Sequence, residues 1–162
     1  RHVEYVSSML PLSNIINKDR VRIDVRTSVW IMGKMLKLLA FSHNFGVSLG
    51  RVEVGNILIE PNQHYVLIFD LSESKTHTDG VPTELSRSEI SESARAVIAL
   101  MGGDYEKRTF PDDKDGYNEY KDHLLNLADG GQRNAETAHA EFYELVDKLW
   151  KRGFYKFTAH PL

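Results

Sequence analysis

The chain of 162 residues contains no cysteine. That excludes disulfides, thiolate metal centres and a thiol nucleophile. It also lacks an apolar run approaching the roughly 20 residues that cross a bilayer, and it shows no signal-peptide pattern. A strong excess of one charge is missing as well. With a net charge of −3 and a pI near 6.2, nothing draws it to nucleic acid or to an anionic membrane. No GxSxG elbow is present. The seven histidines, at 2, 43, 64, 77, 123, 139 and 160, never take HExxH or similar spacing, which argues against metal ligation by histidine. These absences leave a soluble, cytoplasmic protein of one domain, long enough for a core of its own.

What is present is organised by period. Residues 2–6 read as a short strand, and Leu12, Ile15 and Ile16 as one short helix. From Asp24 the pattern turns strongly helical: Val25, Val29, Trp30, Met32, Met35, Leu36, Leu38, Leu39 and Phe41 form a wide apolar stripe with little polar relief. Such a helix is buried on most sides. Asn44-Phe45-Gly46 ends it with a residue free to take positive φ.

A β-hairpin follows, Asn56–Ile59 and Tyr65–Phe69, joined by the turn "EPNQ". Residues 71–86 are polar and read as a long exposed loop. "SRSEISESARAVIALM" at 86–101 restarts a helix with serine caps, and Gly102-Gly103 halts it. Tyr117–Leu127 and Ala135–Arg152 are two further amphipathic helices divided by Gly130-Gly131. The segment "PDDKDGYNEYKD" fails as a calcium loop, because alignment on Gly116 puts Pro111 at the first ligand position. The sum is an α+β chain, mostly helical, with a small sheet and no internal repeat.

The stretch from His43 to Asp70 carries the chemistry. It reads His43-Asn44-Phe45-Gly46-Val47, then Leu49-Gly50-Arg51, then Asn56-Ile57-Leu58-Ile59, and closes on Asp70-Leu71-Ser72. In order and spacing this resembles the C-terminal lobe of the protein-kinase-like superfamily. There a helix ending "LHxxG(I/V)" leads to "HRDxxxxN", a hydrophobic strand and "DFG". The resemblance runs over residues 2–103. "HVEYVSSMLPLSNII" looks like the hinge between lobes, the helix at 25–42 like the long helix before the catalytic loop, and Glu89 to Gly103 like the buried helix after the activation segment, with Glu89 where an Asp is usual. It divides the chain into a hinge-like strand and short helix (1–23), a kinase-like core (24–103) and C-terminal helices (104–162).

The resemblance implies site residues. Asn56 and Asp70 stand where the two metal ligands of the family stand, and Mg²⁺ takes such hard oxygen donors. Backbone groups of Glu4 and Val6 would meet the adenine of ATP. Against this, Arg51 holds the position of the catalytic Asp and Leu49 that of its His. An arginine cannot accept a substrate proton at neutral pH. Glu53, two residues on, is a weak substitute base. The phosphate-binding lobe of the family would lie upstream of the hinge where this chain begins, so Mg²⁺ and ATP are expected only if that lobe is supplied.

Three readings remain. The first is a catalytically impaired, pseudokinase-like lobe that binds a protein partner as a scaffold, as kinase non-catalytic C-lobe domains do. The second is the C-terminal portion of an atypical ATP-dependent phosphotransferase. The third is an α+β domain whose likeness to kinases is accidental. Tyr117, Tyr120, Phe142, Tyr143 and Trp150 sit at helical spacings that fit a core, and the aromatic tail "GFYKFTAHPL" should either pack down or dock outside the chain.

Overall fold

A computed structural model describes residues 8–111 and 117–162. The strand expected at 2–6, with Glu4 and Val6, and residues 112–116 of the rejected calcium loop lie outside the described residues.

The elements run β1 (Leu10–Pro11), α1 (Leu12–Asn17), β2 (Val21–Ile23), α2 (Val25–Asn44), β3 (Val47–Ser48), β4 (Ile57–Glu60), β5 (Tyr65–Ile68), β6 (Lys75–Thr76), α3 (Thr83–Leu100), α4 (Asn118–Ala128), α5 (Ala135–Leu149) and β7 (Ala159–Pro161). Helix α2 is the axis of the molecule. Asp24 caps it by accepting the Thr27 N–H at 2.7 Å. Ile31, Met32, Met35, Leu36 and Leu39 have no solvent exposure. This is the outcome its nearly unbroken apolar stripe predicts. It packs against both α5 and α3, and α4 packs on α3 and reaches α2 through Tyr120, whose hydroxyl lies 2.8 Å from the Ser28 hydroxyl. Gly33 permits the close approach of α5, since a Cβ there would sit 2.5 Å from the Tyr143 hydroxyl. Truncating a side chain such as Leu36 to alanine would cost about 2–5 kcal/mol.

Three small antiparallel sheets decorate the helices. The largest has the order β1-β4-β5, with Ile59 opposite Val66 and Leu10 opposite Ile59. Strands β3 and β6 pair beside the end of α2, and β2 pairs with the C-terminal β7. That last pairing settles much of the tail. Tyr155 donates its hydroxyl to Asp24, Phe157 packs against the core, and Phe154 stays largely exposed.

Two helix boundaries differ from expectation by three residues. Helix α3 starts at Thr83, three residues before the serines read as its cap, because Pro82 at φ −55° already sets the entry of the chain. Helix α5 stops at Leu149 rather than Arg152. Trp150 turns extended and lays its ring against Tyr117 and Tyr120. No helix of the described residues is long and apolar enough to cross a membrane.

Candidate functional site

The loop between β3 and β4 and the end of β5 meet at one point. Asn56, only 3% exposed, donates its amide hydrogens to the carbonyls of Arg51 and Asp70, both at 2.8 Å. Its Oδ1 accepts the Asp70 N–H at 2.6 Å. Both amide hydrogens are therefore spent, and one lone pair remains on an oxygen shut in by its surroundings. Asn56 also sits at the mouth of the hairpin, where Phe69 N–H donates to its carbonyl at 3.0 Å. The hairpin brings the two predicted ligand residues together, as their spacing implied.

Arg51 closes over the same point. One guanidinium nitrogen donates to Asp70 Oδ2 at 3.1 Å and the other to Glu53. The other Asp70 oxygen accepts the Ser72 N–H at 2.8 Å. That backbone bond and the Ser72 hydroxyl, more than Arg51, hold the Asp70 carboxyl below its ordinary range. Arg51 is pushed further up, first by Glu53 and then by Asp70. Glu53, the substitute base, is thus an ion-pair partner of the residue it would replace. Beside these residues runs a cleft of about 590 Å³ lined by Glu53, Glu73, Glu92 and Arg95. Burial and the neighbouring Glu89 push the Glu92 carboxyl up.

A second network holds the loop from beneath. Glu89 on α3 is 1% exposed. One of its oxygens accepts the Gly50 N–H at 2.8 Å, and the other lies 2.6 Å from His43 Nε2. His43 Nδ1 lies 3.2 Å from the Ser86 hydroxyl. Gly50 sits at φ +87°, and a Cβ there would fall 2.6 Å from the Glu73 backbone, so only glycine fits. His43 is therefore a structural residue, tying the end of α2 to α3 and through Glu89 to the loop. Sequence reasoning missed Ser72 and Ser86. Neither carries a signal of its own in a serine-rich chain.

These geometries bear on the metal that a kinase-like fold implies. Magnesium needs open oxygen donors. Here Asn56 Oδ1 and both Asp70 oxygens already serve as acceptors, and the described residues contain no group of three His, Asp or Glu side chains placed to hold a metal. The residues as arranged do not fit the ion without displacing Arg51.

No family model matches the sequence, and no curated protein matches it. Among solved structures, the fold is similar to a crystal structure described as that of the Rad53 kinase domain and SCD2, with a TM-score of 0.53 and 15% identity over 79% of this chain. The chain spans 58% of the length of that structure's chain. At this identity the likeness shows the fold alone: an α+β, mostly helical, kinase-like lobe.

Proposed function

We propose that the protein is a catalytically impaired kinase-like lobe that works in the cytoplasm as a protein-binding or scaffold domain. The observation that carries this reading is Arg51, which takes the place of the general base and pairs with Asp70. A guanidinium there brings permanent positive charge where a hydroxyl should lose its proton. It also occupies the carboxylate that a metal would need.

A surface suited to a partner supports the second half of the reading. Tyr65, Leu67 and Phe69 alternate on the outward side of β5, and all three are exposed, Phe69 by 69%. Apolar residues on the solvent side of an edge strand point to a contact with another protein.

The competing reading, an atypical phosphotransferase, has one observation in its favour. Asn56 and Asp70 are brought together and Asp70 is held ionised. In that case Mg²⁺ would enter by displacing Arg51, and ATP would be held with the help of residues beyond this chain.

Thermal unfolding with and without Mg²⁺-ATP separates the two. The scaffold reading expects no shift for the wild type or for Asp70→Ala, and partner capture that survives Asp70→Ala but falls with Leu67→Ser and Phe69→Ser together. A stabilisation by Mg²⁺-ATP that Asp70→Ala abolishes would overturn it.

A further inference from the structure

The network beneath the Arg51 loop holds more than its supporting role requires. His43 reaches Glu89 through Nε2, which lies 2.6 Å from the Glu89 carboxylate. A carboxylate only accepts, so the proton of this bond sits on Nε2 and the ring's lone pair on Nδ1. The Ser86 hydroxyl, 3.2 Å from Nδ1, is therefore the donor there. Two other buried serines of α3 bond differently. Ser93 donates to the Glu89 carbonyl at 2.9 Å and Ser91 to the Ala128 carbonyl. Backbone carbonyls are common acceptors for a serine inside a helix. Of the three, only Ser86 gives its proton to a base, and a buried acid holds that base. A nucleophile, a base and an orienting carboxylate in one chain of hydrogen bonds is the arrangement that activates a serine.

Ser86 and His43 share a cavity of about 370 Å³ with the start of α5. Small-ligand sites span roughly 300–1,000 Å³. Arg133, Ala135 and Glu136 form part of its wall. Asn134 caps α5 by accepting the Thr137 N–H at 3.0 Å, which leaves the N–H groups of Ala135 and Glu136 without an intrahelical partner. Unpaired backbone donors at the positive end of a helix suit an oxygen that gains negative charge. Besides His43, the only ionisable side chains of the wall are Arg133 and Glu136, opposite in sign. The cavity therefore suits an uncharged ligand.

We propose that Ser86, His43 and Glu89 form a hydrolytic site for a small, uncharged carboxylic ester. Ser86 Oγ adds to the ester carbonyl carbon while His43 Nδ1 takes the hydroxyl proton. The carbonyl oxygen gains the negative charge beside the start of α5. The carbon–oxygen bond to the alcohol then breaks, and the alcohol leaves with the proton from His43. Water adds to the acylated Ser86 by the same proton transfers, which frees the acid and restores the hydroxyl. Glu89 is a positioning residue that keeps the proton on Nε2. This activity is separate from phosphoryl transfer and leaves the reading of Arg51 untouched.

The test is labelling of the whole protein with diisopropyl fluorophosphate, which phosphorylates an activated serine with loss of fluoride. Intact mass and peptide mapping should show one label, on Ser86. It should be absent in Ser86→Ala and retained in Ser88→Ala, which removes an exposed hydroxyl of the same helix. Hydrolysis of p-nitrophenyl acetate should fall as the label accumulates. Glu89→Gln offers an amide hydrogen to Nε2 and so moves the ring proton to Nδ1. Labelling should then slow by about 10²–10⁴-fold, the scale of one general base, with little change in melting temperature. The imidazole nitrogen signals of His43 should report Nε2–H in the wild type and Nδ1–H in the variant. No label on Ser86, a labelling rate indifferent to Glu89→Gln, or an Nδ1–H ring in the wild type would overturn the proposal. In that event the network serves only to hold the loop.

Discussion

Asn56 and Asp70 hold each other by two reciprocal bonds: the Asp70 N–H donates to Asn56 Oδ1 at 2.6 Å, and Asn56 returns an amide hydrogen to the Asp70 carbonyl at 2.8 Å. The same amide reaches back to the Arg51 carbonyl. One buried side chain thus fixes the hairpin mouth and the loop before it. Replacing it with alanine leaves one backbone N–H and two carbonyls without partners. Asn56→Ala is therefore expected to cost about 2–4 kcal/mol in urea unfolding, and a loss below about 1 kcal/mol would show that water replaces the amide freely.

Arg51 is different in kind, because its side chain is 40% exposed. Exposed ion pairs contribute about 0–1 kcal/mol, so Arg51→Ala should barely change stability. Its effect belongs to the site. With Arg51 gone, Asp70 Oδ2 is open, and millimolar Mg²⁺ should raise the melting temperature of the variant but not of the wild type. The Asp70 carboxyl should still titrate below the ordinary range by NMR, since Ser72 is its main stabiliser. Its lowered value means a contribution to stability that is present above the unfolded value of about 3.9 and lost as pH falls below it. An Asp70 returned to the ordinary range in Arg51→Ala would contradict this account.

The order of the elements was legible in the sequence, and the reasons are local. The stripe from Val25 to Leu39 could be nothing but a buried helix, although Phe41 at its end is 64% exposed, and two apolar runs on either side of "EPNQ" could pair only as a hairpin. Arg51 standing where a base should be was equally plain. That it would lie against Asp70 was not, because a side-chain direction across a loop leaves no periodic trace. The pairing of β2 with β7 was hidden for another reason. Val21 and Pro161 lie at opposite ends of the chain, and "TAHP" has little strand character of its own. Pro82 as the start of α3 was masked by Thr83-Glu84-Leu85, which extend the helix outside its apolar period.

Glu89 supports the loop from within the core, and two substitutions separate its roles. Glu89→Gln keeps an oxygen for the Gly50 N–H and offers an amide hydrogen to His43 Nε2. It should cost little beyond about 1 kcal/mol. Glu89→Ala removes both partners at once and should cost about 3–5 kcal/mol, the range for breaking a buried polar pair. Equal stability losses in the two variants would mean that charge, not hydrogen bonding, is what the loop requires of this residue.

Acid should weaken the fold through its histidines. Burial is the main cause that lowers His64, His123 and His139 below the ordinary histidine range. Lys34 adds to the effect at His64 and Lys37 at His139, while Glu60 and Glu141 oppose it at His64 and His123. A histidine lowered in the folded state binds its proton more readily when unfolded. Its contribution is therefore whole above the unfolded value of about 6.5 and falls as pH drops below it. Urea midpoints should be level from about pH 8 to 7 and decline toward pH 5. His123→Gln should flatten part of that decline, because His123 Nε2 is buried without a partner and has most to lose on taking up charge. A midpoint that holds steady down to pH 5 would mean that these rings take up protons in place, without opening the helices that enclose them.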